Sequence, residues 1–356
     1  MGGVRDCNRR RLRGGDDLKP VLFVTNHVPP DRAGAFAALA QRVPLRLVLF
    51  GGSSLHATEG LDTLDLPHER IAQRDVHALA ASHGHSFVVA GTVGRRALPG
   101  AYAGARRSRT PFVLWSALWH QPRSAAHLAA APLLRRIHTT AHAVVAYGPH
   151  VAAFAGRLGA RRIHLAPQAV DGAFWEADDI TPDRRAPFQA LFAGRHAPGK
   201  GVDVLLAAWS RAGLADAALV LAGVDPGSSG PRDVHATGVL APEHLRNLMG
   251  GSDVLVVPST RTATFREPWG LVANEAMHRA LPVIASTEVG AAAGGLVRHG
   301  RNGLVVPAGD AAALAGALRE LAADAPQRAR LGAAARRDVH PFTHDAWAAG
   351  LAEALR

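Results

Sequence analysis

Glu267 and Glu275 stand with seven residues between them in Glu-Pro-Trp-Gly-Leu-Val-Ala-Asn-Glu, flanking an expected helix start that follows the apolar run Val254–Pro258. Upstream, a second apolar run, Phe188–Gly194, leads into Arg195-His-Ala-Pro-Gly-Lys200-Gly. Carboxylates accept hydrogen bonds well from vicinal hydroxyls. An arginine can grip phosphate oxygens through two N–H groups, and a lysine acts as a mobile point charge. Arg195 and Lys200, in a loop stiffened by Pro198 and shaped by Gly199 and Gly201, can therefore stabilise charge on a departing diphosphate without a metal. The helix start Gly270-Leu271-Val272 adds unpaired main-chain N–H groups and the positive end of a helix dipole. The set suits a ligand with a diphosphate between two hydroxyl-bearing groups, as in a nucleotide sugar.

Each part has a plainer explanation. Acids at a helix start suit the dipole without any ligand, and a basic loop can simply be solvated. The joint occurrence favours a ligand, and so does Lys200, because the chain has only one other lysine, Lys19. His120, in Trp115-Ser-Ala-Leu-Trp119-His120-Gln-Pro after the run Phe112–Trp115, is a candidate for the wall of an acceptor pocket. The segment Asn26-His27-Val-Pro-Pro-Asp31-Arg32-Ala-Gly34 follows the first apolar run and should face the same cleft, with Gly34 in a loop that covers the diphosphate. The acidic pairs Asp16-Asp17 and Asp178-Asp179 read as solvated, and no metal site is expected.

These residues need elements to hold them. Val21–Thr25, Leu45–Phe50, Phe87–Ala90, Phe112–Trp115, Ala143–Ala146 and Ile163–Ala166 read as buried strands. Arg32–Arg42, Glu69–Ala81, Ser124–Thr139 and Pro149–Leu158 read as the helices between them. The polar stretch 176–187 is the linker candidate, and the alternation restarts with strands at Phe188–Ala193, Ala218–Ala222, Asp253–Val257, Pro282–Ala285 and Leu304–Val306. Helices are expected at Val202–Ala212, Pro242–Met249, Gly270–Arg279, Ala311–Ala323 and Pro326–Arg337, with a last amphipathic piece at Thr343–Leu355. The pattern predicts an α/β chain of two doubly wound, Rossmann-like domains, 19–175 and 188–340, with a cleft between them. Ligands of such sheets bind beyond the carboxyl ends of the strands, where both motifs fall.

At 356 residues the chain is long enough for two cores, and 48% hydrophobic with 19% charged residues is a globular composition. A net charge of +11 favours an anionic partner: a nucleotide diphosphate, an anionic membrane surface or, less well supported by any motif, nucleic acid. Cys7 is the only cysteine, which excludes an intramolecular disulfide and suits a cytoplasmic location. Residues 1–18 read as a disordered basic tail without the apolar core of a signal peptide. No apolar stretch reaches the ~18 residues needed to span a membrane, so any membrane association would be peripheral, at the inner face.

With these residues in place, the second half resembles the retaining glycosyltransferases of family 4 (glycosyl transferases group 1), which have the GT-B fold. The matching segments are Ala193-Gly-Arg195-His-Ala-Pro-Gly-Lys200-Gly-Val-Asp203, Gly238-Val-Leu240, Ser252-Asp-Val-Leu-Val-Val-Pro-Ser259, the stretch from Glu267 to Glu275, and Gly300-Arg-Asn-Gly-Leu-Val-Val306. The first half resembles the family loosely, through Tyr147-Gly148 and Pro167-Gln-Ala-Val-Asp171. The resemblance implies a donor held mainly by the second domain: Arg195 and Lys200 on the diphosphate, N–H groups near Leu271 and Val272 assisting, Glu275 on the ribose, Glu267 on the sugar and Leu240 beside the base. His120 matches an acceptor-side histidine in placement only. Ala33-Gly34 stands where many relatives carry Gly-Gly. The last helix is expected to return to the first domain. The expected activity is metal-independent transfer, with retention, from a UDP- or GDP-sugar to a hydroxyl acceptor on a cell-envelope glycan, a lipid-linked carrier or a secondary metabolite. No cofactor is expected, since the nucleotide sugar is a substrate. A sugar-nucleotide epimerase and a non-catalytic nucleotide-sugar-binding subunit are the alternatives. A dinucleotide-dependent dehydrogenase is disfavoured, because no strand leads into GxGxxG.

Overall fold

The computed structural model describes residues 19–51, 65–227 and 232–356, so the expected tail 1–18 lies outside the described residues. The first sheet contains β1 (Val21–Thr25), β2 (Leu45–Leu49), β3 (His68–Arg70), β4 (Phe87–Gly91), β5 (Phe112–Ser116), β6 (Ala143–Ala146) and β7 (Ile163–Leu165), in the order β3-β2-β1-β4-β5-β6-β7. The second contains β8 (Phe188–Ala193), β9 (Ala217–Ala222), β10 (Val234–Gly238), β11 (Val254–Val257), β12 (Val283–Ser286) and β13 (Gly303–Val306), in the order β10-β9-β8-β11-β12-β13. All of these neighbours pair in parallel. Helices cover both faces, which is why β1, β5, β9 and β11 are buried along their whole length and read as continuous apolar runs. One sandwich of Phe23, Phe36, Trp115 and Trp347 fills one face of the first sheet, while Leu22, Val88, Leu98 and Leu114 fill the other.

The sheet orders place a topological switch point between β1 and β4 in the first domain and between β8 and β11 in the second. The loops after these four strands line the cleft between the domains.

The expected strands all form, within a residue or two of their predicted ends. Two strands go unannounced, β3 (His-Glu-Arg) and β10 (Val-His-Ala-Thr-Gly). Both lie at a sheet edge and are never fully buried, so they lack the apolar run that marks the others. Consequently the helix expected over Glu69–Ala81 is wrong in its first half: Glu69 pairs with Val48 as part of β3, and the helix spans only Val76–Ala80. A further helix, Ala97–Ser108, is masked in the sequence by Pro99, Gly100 and Gly104. The final helix, His344–Glu353, packs on the first domain against the helix Pro30–Ala40, with the Trp347 ring 5.1 Å from Phe36.

Candidate active site

The cleft has a volume of about 570 Å³ and takes its walls from both domains. The second-domain wall is built by the loops after β8 and β11. Lys200 Nζ lies 2.6 Å from Glu267 Oε2, and the Ser259 hydroxyl donates to the same oxygen over 3.2 Å. Glu267 is buried, so its charge is matched on the spot by the lysine. The two loops nest because residue 201 is glycine. Its φ is 73°, and a Cβ there would lie 2.0 Å from the Pro258 carbonyl oxygen. Arg195 is exposed on the same wall, and among the described residues its side chain has no carboxylate partner. Gly270, Leu271 and Val272 also line the cleft. Main-chain bonding there begins with Ala273 N–H donating to Gly270 O, which leaves the Leu271 and Val272 N–H groups without a main-chain partner among the described residues. The helix proper runs Val272–His278, two residues shorter at its start than expected.

The first-domain wall is different in kind. Arg32 donates to the Tyr147 hydroxyl (3.1 Å) and to Gln168 Oε1, and its guanidinium lies over the rings of Trp115 and Tyr147, 5.3 and 5.2 Å from their centroids. Burial opposes its charge, but the neighbouring Tyr147 and Asp31 outweigh that and raise its pKa. Glu275 lies one turn along the helix behind the Leu271–Val272 rim. Its carboxyl has no hydrogen-bond or ion-pair partner among the described residues. Desolvation, with a further contribution from Asp31 of the opposite domain, pushes its pKa up to about 8.

The first domain also grips the Glu267 segment directly. The Trp119 indole N–H donates to Glu267 O (3.1 Å), the His150 Nε2–H donates to Pro268 O (3.0 Å), and Arg123 N–H donates to Ala263 O (2.7 Å). Arg266 stacks on Trp119 with its guanidinium carbon 3.3 Å from the ring centroid and pairs with Glu288. Asn274 joins the walls again, accepting from Trp269 Nε1 and donating to Gln168 O.

Six expected residues thus meet at or beside the cleft wall: Arg195, Lys200, Glu267, Gly270, Leu271 and Val272, with Glu275 just behind them. Three lie off it. His120 is buried beyond β5, and burial together with Arg261 and Arg266 lowers its pKa; it is absent from the cleft lining. Leu240 is half-buried after β10, on the apolar cluster of the second domain. Gly34 is not in a loop at all. Pro30 starts the helix early, so Gly34 falls in its second turn and faces His344, whose Nδ1 would lie 2.3 Å from a Cβ there. The residues that sequence reasoning did not assign are Asp31, Arg32, Ser259, Trp119 and His150. Their positions in loops just past strand ends, or at the start of the following helix, were the available signal.

Comparison with known proteins is consistent with this geometry. Residues 187–324 match the family model described as glycosyl transferases group 1. A D-inositol 3-phosphate glycosyltransferase of Stackebrandtia nassauensis is 34% identical over 212 residues, 51% of this chain and 46% of that protein, and one of Streptomyces bingchenggensis is 34% identical over 201 residues. The chain thus spans about half the length of the curated relatives it matches. HepE of Anabaena, solved in complex with UDP and glucose, superposes with a TM-score of 0.73 at 20% identity, covering 94% of this chain and 98% of that one. Sucrose-phosphate synthase of Thermosynechococcus elongatus gives 0.71 at 21% identity over the same shares. Two parallel sheets, each with its switch point turned to a shared cleft, constitute the GT-B fold, and the second of these domains, over residues 187–324, is similar to the glycosyl transferases group 1 family.

Proposed function

We propose that the protein transfers a sugar, with retained anomeric configuration and without a metal, from a UDP- or GDP-sugar to a hydroxyl acceptor. The observation that carries this reading is the buried Glu267 carboxylate held by Lys200 and Ser259 beside the free N–H groups of Leu271 and Val272. Lys200 and Arg195 take the diphosphate, as two cations on one wall without a competing carboxylate on Arg195. When the diphosphate draws on Lys200, the Glu267 carboxylate becomes available to sugar hydroxyls. Glu275, opposite Asp31, takes the ribose. HepE, which shares the fold, was solved with UDP and with UDP-glucose, and this makes UDP-sugars the first donors to test. A cytoplasmic location is where such donors are available.

The bond between the anomeric carbon and the diphosphate oxygen breaks as the acceptor oxygen bonds to that carbon on the same face. The acceptor proton passes to the departing phosphate oxygen. Lys200 and Arg195 stabilise the charge on the leaving group as it develops.

A thermal-shift panel of UDP-, GDP-, ADP- and dTDP-sugars tests the donor, since a ligand that binds the native state stabilises it by mass action. Glu267→Ala tests the chemistry: turnover should fall by about 10²-fold or more, and full transfer activity in that variant would sink the role given to the residue.

A further inference from the structure

From residue 76 to residue 170 the chain contains eleven arginines and not one aspartate or glutamate. The whole chain has 40 basic and 29 acidic residues, so this stretch carries its entire excess of +11 and the remainder is balanced. All eleven arginines are exposed, and none forms an ion pair with an aspartate or glutamate among the described residues. The stretch supplies β4 to β7 and the helices Ala97–Ser108, Ala125–Thr140 and Pro149–Arg157. Leu98, Ile137 and Ala155 from these three helices pack into the same apolar layer, which puts the helices on one face of the sheet. Arg106 and Arg136, from two of these helices, converge on Tyr102.

The middle helix is exposed along a sequence that should not be. Ala125, Ala126, Leu128, Ala129, Ala130, Pro132 and Leu133 all face solvent, with Leu128 57% and Leu133 37% exposed. Its first three turns hold no acidic residue, and Arg123, Arg135 and Arg136 flank them. An apolar helix face ringed by arginines matches an anionic bilayer, which offers phosphate oxygens at the headgroup level and hydrocarbon just beneath. Nucleic acid would use the arginines but has nothing for the leucines to enter. The patch also adjoins the cleft. Val93 lines it and is followed by exposed Arg95 and Arg96, and Arg123 bonds the loop that ends in Glu267.

We propose that this face of the first domain docks on an anionic membrane surface, with the helix Ala125–Thr140 lying in the interface and its flanking arginines on lipid phosphates. The docked face leaves the cleft mouth at the bilayer, where a lipid-borne hydroxyl acceptor would enter. The proposal rests on the glycosyl-transfer reading only for that last step.

Flotation of the full chain tests the surface, using phosphatidylcholine vesicles with and without about 30% phosphatidylglycerol. The protein should rise with the anionic vesicles and not with the neutral ones. Arg107→Glu with Arg135→Glu, and separately Leu128→Gln with Leu133→Gln, should each weaken binding about tenfold or more. All four side chains are exposed, so melting temperatures should stay at the wild-type value. Unchanged flotation of both variants overturns the proposal. So does a leucine variant that binds as wild type while duplex DNA strips the protein from the vesicles, because the face would then be a nucleic-acid site. UDP-sugar thermal shifts on the same samples separate the two readings: vesicle binding without any donor response would fail the glycosyl-transfer assignment and leave the membrane surface standing.

Discussion

The two walls of the cleft hold charge in opposite ways. On the second-domain wall, Lys200 and Glu267 form a close pair, supplied by two neighbouring loops, with Arg195 beside them lacking a carboxylate partner among the described residues. On the first-domain wall, Arg32 is locked into Tyr147, Gln168 and two aromatic faces, with no carboxylate bonded to it among the described residues. A paired charge that a ligand can take over suits catalysis. A buried, fully engaged cation suits a fixed framework. The family match follows the same division, since it covers 187–324 and not the first domain. Under the proposed glycosyl transfer, the second wall handles the donor and the first shapes what the donor reacts with.

This contrast can be broken at four places. Replacing Lys200 by Ala should reduce turnover about 10²- to 10³-fold in a steady-state assay, because a preorganised donor to the leaving group is lost. Arg32→Met should act on stability instead, lowering the unfolding free energy by about 2–4 kcal/mol in denaturant titrations, since the Tyr147 and Gln168 acceptors lose their donor in a buried site. Its donor affinity should stay near the wild-type value, and a large loss of donor binding would show the walls are not separable. Trp119→Phe removes one hydrogen bond to Glu267 O. About 1 kcal/mol, or roughly fivefold in kcat, is expected with little change in donor affinity.

The last effect is the most specific. The carboxyl of Glu275 sits at about 8 in the folded protein against an ordinary 4.5, so between those values the folded state holds a proton that the unfolded state has released. Stability should therefore decline as pH rises from about 4.5 to about 8. Donor affinity should move the other way, rising a few-fold as the carboxylate forms and accepts ribose hydroxyls. Glu275→Gln should flatten both trends in calorimetry and melting curves, and an unchanged pH profile would remove Glu275 from the donor site.

Much of the second wall could be read in the sequence because each of its loops follows directly on an apolar strand. Arg195, Lys200, Glu267 and Gly270–Val272 come as contiguous words, and parallel topology alone carries them to one edge. The first wall could not be read in the same way. Arg32 is one of many arginines, and its partners Tyr147 and Gln168 lie 115 and 136 residues away. Gly34 looked like a loop glycine although the helix expected over Arg32–Arg42 already contained it; proline at the first helical position starts that helix two residues earlier, and the return of His344 explains the missing side chain. His120 illustrates the same limit. Position after a strand placed it near the cleft, while the structure buries its ring beyond β5, where burial and the nearby Arg261 and Arg266 lower its pKa.

The helix His344–Glu353 sets an order of assembly. Trp347 and Leu351 belong to the same apolar cluster as Val21, Phe23 and Phe36, so the layer begun by the first strand is closed only by residues more than three hundred positions later. During synthesis the second domain, with its compact run from β8 to β13, has everything it needs before that helix has emerged. The domain translated first is thus the last to be finished, and until then one of its faces must wait uncovered.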